Sequence, residues 1–123
     1  MSVPLQYFTE KEINAVSFGT DDGFNNCAIQ SLLSLDNLRR NLGRPLTLTC
    51  AYRTVEWDME HGRSGKSDHC RGTGFDIKID GLKDAIEIVA QASKEGFNAF
   101  GINLESGFVH IGQRHGKLTT WEY

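Results

Sequence analysis

"KSDHCRGTGFDIKID", residues 66–80, is the stretch on which the reading of this chain turns. Its second half alternates strictly: Phe75, Ile77 and Ile79 fall on one side, Asp76, Lys78 and Asp80 on the other. That period of two is the mark of a half-buried strand. Its first half places His69 and Cys70 in a polar segment bracketed by glycines. A strand of ordinary purpose prefers Val or Thr to a carboxylate at Asp76. The segment can be written Ser-x-His-x-x-Gly-x-Gly-x-Asp, from Ser67 to Asp76. An imidazole nitrogen and a carboxylate oxygen are both good zinc ligands. Along one straight strand the two side chains would stand more than ~20 Å apart. Gly72 and Gly74 remove the difficulty, because they let the chain turn back before the strand begins.

Working outward, "RPLTLTCAY" upstream alternates like another half-buried strand, with Leu46, Leu48 and Cys50 expected on one face. Between the two strands the composition is polar, and a helical turn is expected around Glu56–Glu60. Further upstream, "FTEKEI" reads as a helix start. Thr9 and Glu12 are spaced as a capping box, and Phe8 and Ile13 as a hydrophobic staple. A second helix is expected over Asn26–Asn41, with an apolar stripe of Ile29, Leu32, Leu33, Leu35, Leu38 and Leu42 and a stop at Gly43. Downstream, Leu82–Glu95 reads as a helix with Ile86, Ile88, Val89 and Ala92 inward. "NAFGINL" and "GFVHIGQ" read as the two strands of a hairpin. With no repeat and no linker, the pattern predicts one α+β domain over residues 1–123.

Composition narrows the function classes. Hydrophobic residues make up 39% and charged residues 24% of 123, enough for an ordinary globular core. A net charge of −3 with scattered basic residues offers no footprint for nucleic acid or anionic lipid, so neither is expected as a partner. No apolar run approaches the ~20 residues of a membrane span. The start, "MSVPLQYFTEKE", lacks the charged-then-apolar pattern of a secretory leader. The three cysteines have no CxxC spacing and read as free thiols in a reducing compartment. The chain is expected to be a monomer made in the cytoplasm.

A catalytic zinc takes three protein ligands and keeps one position open. "SGFVHIG" supplies a third donor, His110; taken alone, a histidine in a strand is more often a satisfied core residue. His61 and His115 lie in polar segments and read as surface residues.

These residues carry a resemblance. "SDHCRGTGFDI" is similar to the zinc signature Ser-x-His-x-x-Gly-x-Ala-x-Asp of the D-Ala-D-Ala carboxypeptidase and L-alanyl-D-glutamate peptidase superfamily, which shares its fold with the hedgehog signalling domain. "LTCAYRT" resembles that family's preceding strand and Ser-Gly-Tyr-Arg-Ser turn, and "FVHIGQR" its last ligand segment. The order of all three agrees, over roughly Phe8–Arg114. The resemblance implies a hedgehog/DD-peptidase-like α+β fold, with a mainly antiparallel central sheet, helices packed on it and a zinc site in a sheet-face cleft. It implies a Zn2+-dependent metallopeptidase acting on peptidoglycan stem peptides, as carboxypeptidase or endopeptidase, with a zinc-binding but non-catalytic module as the alternative. A cell-wall target fits a phage or prophage lysin.

Residue by residue, the resemblance makes His69, Asp76 and His110 the zinc ligands and Arg53 the arginine that holds substrate. Ser67 braces the loop or the substrate, and Tyr52 and Trp57 are expected along the cleft. Members of the family commonly carry an acidic residue three positions before the last histidine, but here that residue is Gly107. Glu105 is therefore expected as the general base, with His115 as the fallback. Two further departures are Asp68, where glutamine is common, and Gly74, where alanine is usual. Gly74 is expected to loosen the loop. Cys70, adjacent to His69, is expected to be idle.

Overall fold

The structure, a computed structural model, describes residues 5–123; the first four residues of the segment read above for a leader lie outside them. Among the described residues, five α-helices and five strands alternate unevenly. The helices are α1 (Glu10–Ala15), α2 (Ile29–Leu42), α3 (Val55–Glu60), α4 (Asp68–Arg71) and α5 (Leu82–Lys94). The strands are β1 (Leu48–Cys50), β2 (Gly74–Lys78), β3 (Ala99–Asn103), β4 (Phe108–Gly112) and β5 (Thr119–Glu122). The sheet order is β1-β2-β4-β3-β5. Its first three pairings are antiparallel, and β5 runs parallel to β3 along the edge, so the sheet is mixed. This α+β architecture is the expected class, and no helix among the described residues is long and apolar enough to cross a membrane.

Local chemistry explains where the helices begin and end. Thr9 accepts from the Glu12 amide and Glu12 reaches back to Thr9, the reciprocal box that the spacing implies. α2 starts at Ile29, after a single 3-10 turn over Phe24–Asn26, and stops at Gly43, whose φ of +71° suits a residue without a Cβ. Three of its expected core residues, Leu32, Leu35 and Leu38, are buried, but Ile29 and Leu33 are exposed. α5 likewise buries Ala85, Ile88 and Ala92 while Ile86 faces solvent. In both helices the sheet covers a narrower stripe than the apolar residues would fill.

One sheet face carries the core. Phe75, Ile77, Val109 and Ile111 are wholly buried there beneath α2 and α5, each such side chain contributing about 1.5–3 kcal/mol by leaving water. The other face carries a row of directly paired residues across all five strands: Cys50, Asp76, His110, Gly101 and Trp121. Cys50 was expected on the same face as Leu48. Instead Leu48 pairs with Ile77 and Cys50 with Asp76, because the register slips between them. Two residues of β1 then span one of β2, so Cys50 turns from the core face to the other.

Candidate metal centre

The row puts Asp76 beside His110, and α4 supplies His69 from above. Ser67 caps α4, accepting from the Cys70 amide, and Gly72 ends it at φ +74°. Gly72 also has to be small: a Cβ there would lie 2.3 Å from the Asn26 carbonyl oxygen. Residues 68–71 are thus a helical turn rather than a loop. The geometry brings all three expected donors together. His69 Nε2 and Asp76 Oδ1 are 3.2 Å apart, His110 Nδ1 and Asp76 Oδ1 2.9 Å, and the two imidazole nitrogens 3.2 Å.

Their outer contacts fix the tautomers. His69 Nδ1–H donates to the Ala51 carbonyl at 2.7 Å, and His110 Nε2–H donates to Asp68 Oδ2 at 2.8 Å. In neutral rings the remaining nitrogens then carry lone pairs, which face each other and the Asp76 oxygen. Three acceptors at hydrogen-bond range need positive charge between them, supplied either by protons or by a metal ion. Outer partners that turn both histidines lone-pair-inward are what metal sites use. The residues present therefore fit a zinc ion, with two imidazoles and one carboxylate.

A second donor group is looser. The sulfur of Cys50 joins His69 and Asp76 in a set whose donor atoms lie within 4.8 Å of one another. The 3.2 Å spacing of the set with His110 makes that the tighter cluster, with Cys50 at its flank. The bulge in β1 delivers this cysteine, which the alternation pattern had assigned to the core. Cys70 sits instead against Ser67 Oγ, at 3.5 Å, outside both groups.

Electrostatics reflect the crowding. Burial alone would lower the His69 pKa, but hydrogen bonds to Asp76 and Cys50 outweigh it and push it up to about 9. Burial opposes ionisation of Asp76, yet hydrogen bonds from His110 and His69 hold it well below the usual carboxylate range. His110 is likewise raised against burial by Asp68 and Asp76. A raised histidine contributes stability that is fully present below its ordinary 6.5 and lost as pH climbs through about 9. The lowered Asp76 contributes stability above its ordinary 3.8 and loses it as pH falls. Metal-free protein should accordingly lose thermal stability between about pH 6.5 and 9. Zinc competes with the same protons, so its affinity should rise over that window. Calorimetric unfolding with and without zinc across pH checks both slopes.

The donors floor a cleft of about 170 Å³ walled by Arg53, Arg63, Arg114, Phe108, Trp121 and Tyr123, with Ser67 at its edge. Arg53 is tied to the site through its backbone and faces a buried carboxylate. Its amide donates to the His69 carbonyl at 3.3 Å, and its Nε lies 3.5 Å from Oδ1 of Asp58, a carboxylate with no exposed surface. Trp121 reaches the cleft across Gly101, where a Cβ would stand 2.2 Å from its Nε1, and its ring packs 5.2 Å from His110.

Four expected residues lie elsewhere. Trp57 is stacked between Phe18 and His61, at 4.9 and 3.8 Å, and does not line the cleft. Tyr52 packs against the core instead. Glu105 is exposed in the β3–β4 turn and lines an adjoining cleft with Leu82, Ile102 and Leu104, which shares only Tyr123 with the metal cleft. The physical reason is strand geometry: β4 begins only at Phe108, so Glu105 stays in the turn before it while His110 lies two steps, about 7 Å, into the strand. His115, the fallback base, lies in yet another surface cleft with Arg71 and Thr73. Conversely, the fold brings Asp68, Arg114, Trp121 and Tyr123 to the cleft, and no sequence motif marks them as site residues. The available signals were Asp68 and Arg114 standing one and four positions from the proposed ligands His69 and His110.

A mixed-sheet α+β protein with two buried histidines and a partly buried aspartate under an arginine-rimmed cleft is, as a class, a protein with a candidate divalent-metal centre. A family model described as Peptidase M15 matches residues 6–112, most of the chain, and the chain belongs to this family of metallopeptidases. No curated protein matches it. Arg114, Trp121 and Tyr123 lie beyond the matched residues.

Proposed function

We propose that this chain is a zinc-dependent peptidase that hydrolyses peptide bonds in peptidoglycan stem peptides, and that residues 1–123 form its single catalytic domain. The observation that carries the reading is the inward-facing donor set of His69, Asp76 and His110, joined to membership of the M15 family. When bound, zinc would supply Lewis acidity and a water made acidic enough to ionise near pH ~7. Arg53 holds a substrate carboxylate or carbonyl oxygen; its planar, permanently charged fork suits either. The buried carboxylate of Asp58 balances its charge at 3.5 Å. Burial raises the Tyr123 pKa, so its hydroxyl stays protonated at neutral pH and serves as a donor to substrate, not as a proton acceptor.

Among carboxylates lining the cleft, Asp76 is a proposed ligand and Asp68 is held by His110 and Arg114. This favours one second reading: a module that binds zinc and peptide without cutting, as the resemblance to the hedgehog domain allows. Mass spectrometry of purified peptidoglycan fragments after incubation with the zinc-loaded protein decides between the two. Release of a terminal D-residue or of an internal fragment identifies a carboxypeptidase or an endopeptidase. Unchanged fragments, with zinc bound, identify the module.

Glu105→Gln tests the base directly. With Glu105 outside the cleft, turnover of the variant should stay near that of the parent. A fall of the ~10²–10⁴-fold typical of a lost general base would show that the turn closes onto the substrate.

A further inference from the structure

Asp68 and Gly74 depart from the family pattern in the sequence, and in the structure they meet. Gly74 of β2 is the direct cross-strand partner of Gly112 of β4. Two glycines facing each other leave a pit in the sheet face beside His110. The carboxylate of Asp68 occupies it. A Cβ on Gly112 would stand 2.3 Å from Asp68 Oδ2, and one on Gly74 2.5 Å from Asp68 Cβ. Neither glycine has a positive φ, so what these positions demand is the absent side chain, not an unusual backbone.

Inside the pit Asp68 is held from two sides. Oδ2 accepts from His110 Nε2 at 2.8 Å, and Oδ1 accepts from Arg114 Nε at 2.8 Å. Arg114 in turn lies over the Trp121 ring, 4.9 Å from its centre. Asp68 is 1% exposed, so this carboxylate has no bulk solvent to turn to.

We propose that Asp68 is the positioning residue for His110: seated in the Gly74–Gly112 pit, it fixes the ring with Nδ1 facing the metal and makes that nitrogen a stronger donor. The proposal rests on the zinc-site reading above and adds a residue outside the donor set. A carboxylate on the far nitrogen of a ligating histidine orients the ring and raises its basicity. Gly112 is part of the same device, because any side chain there expels the carboxylate.

The test uses the full chain and zinc alone, with affinity measured by competition against a chromophoric chelator. Asp68→Ala should weaken zinc binding by roughly 10–100-fold, the usual effect of removing such a partner. Asp68→Asn keeps an acceptor oxygen for Nε2–H and should recover part of the loss. Gly112→Ala should also weaken binding, because its methyl would stand 2.3 Å from Asp68 Oδ2 and 3.0 Å from His110 Nε2. Nitrogen NMR of the His110 ring reports the hydrogen bond independently, and far-ultraviolet circular dichroism confirms that each variant folds. Parental zinc affinity in Asp68→Ala, or no recovery at all in Asp68→Asn, overturns the proposal. Should the parent protein take up no zinc, the zinc-site reading fails; the ring signals of metal-free parent and Asp68→Ala still decide the contact, and identical signals refute it.

Discussion

Purified His110→Ala and His69→Ala proteins should contain no zinc after dialysis against it, whereas the parent should hold one ion per chain. Removing one of three protein donors should cost more than the ~10–100-fold that an outer partner is worth. The substitutions also disturb charge. His110 lies within 2.9 Å of both Asp76 and Asp68, and His69 lies 3.2 Å from Asp76. Stripping a partner from a buried ion pair costs about 3–5 kcal/mol, because the remaining charge is left in a poor solvent. The metal-free variants should therefore melt below metal-free parent protein at pH 6, where the raised histidines carry their protons. Elemental analysis and thermal unfolding read the two effects separately. Cys70→Ser is the control: its sulfur lies outside the donor groups, and zinc content should be unchanged. Stoichiometric zinc in His110→Ala would mean that Cys50, His69 and Asp76 form the true ligand set.

Arg53→Ala should show the second large effect, and it should be double. In the proposed mechanism the guanidinium contacts the peptide, so both substrate binding and turnover should fall. The structure adds a cost that has nothing to do with substrate. Asp58 has no exposed surface; its Oδ2 accepts from the Gly65 amide, while its Oδ1 faces only Arg53. Truncating Arg53 leaves that charge unbalanced, again by about 3–5 kcal/mol. Arg53→Ala combined with Asp58→Asn should restore most of the stability, since the amide keeps an oxygen for Gly65 and removes the charge. It should not restore substrate affinity. Recovery of both would make Arg53 a structural residue only; recovery of neither would mean that the Asp58 pair is not the source of the instability.

Much of this was legible in the chain itself. The alternation of Phe75, Ile77 and Ile79 located β2, the Thr9–Glu12 box located α1, and Gly43 ended α2, because each is decided by backbone sterics or by a bond within one turn. His69, Asp76 and His110 could be selected because donors of the right chemistry stood on either side of turn-forming glycines and on a paired strand. Other features depended on contacts between segments far apart in sequence. The slip between Leu48 and Cys50 is a property of two strands and not of one, so alternation within β1 misplaced Cys50. Glu105 sits close to His110 in sequence, yet the hairpin leaves it in the turn before β4 begins. The pit that seats Asp68 exists only because Gly74 and Gly112, thirty-eight positions apart, fall opposite each other in register. Trp121 reaches His110 only because β5 pairs beside Gly101. Local periodicity determined which residues could be donors; the pairing of strands decided which neighbours would hold them.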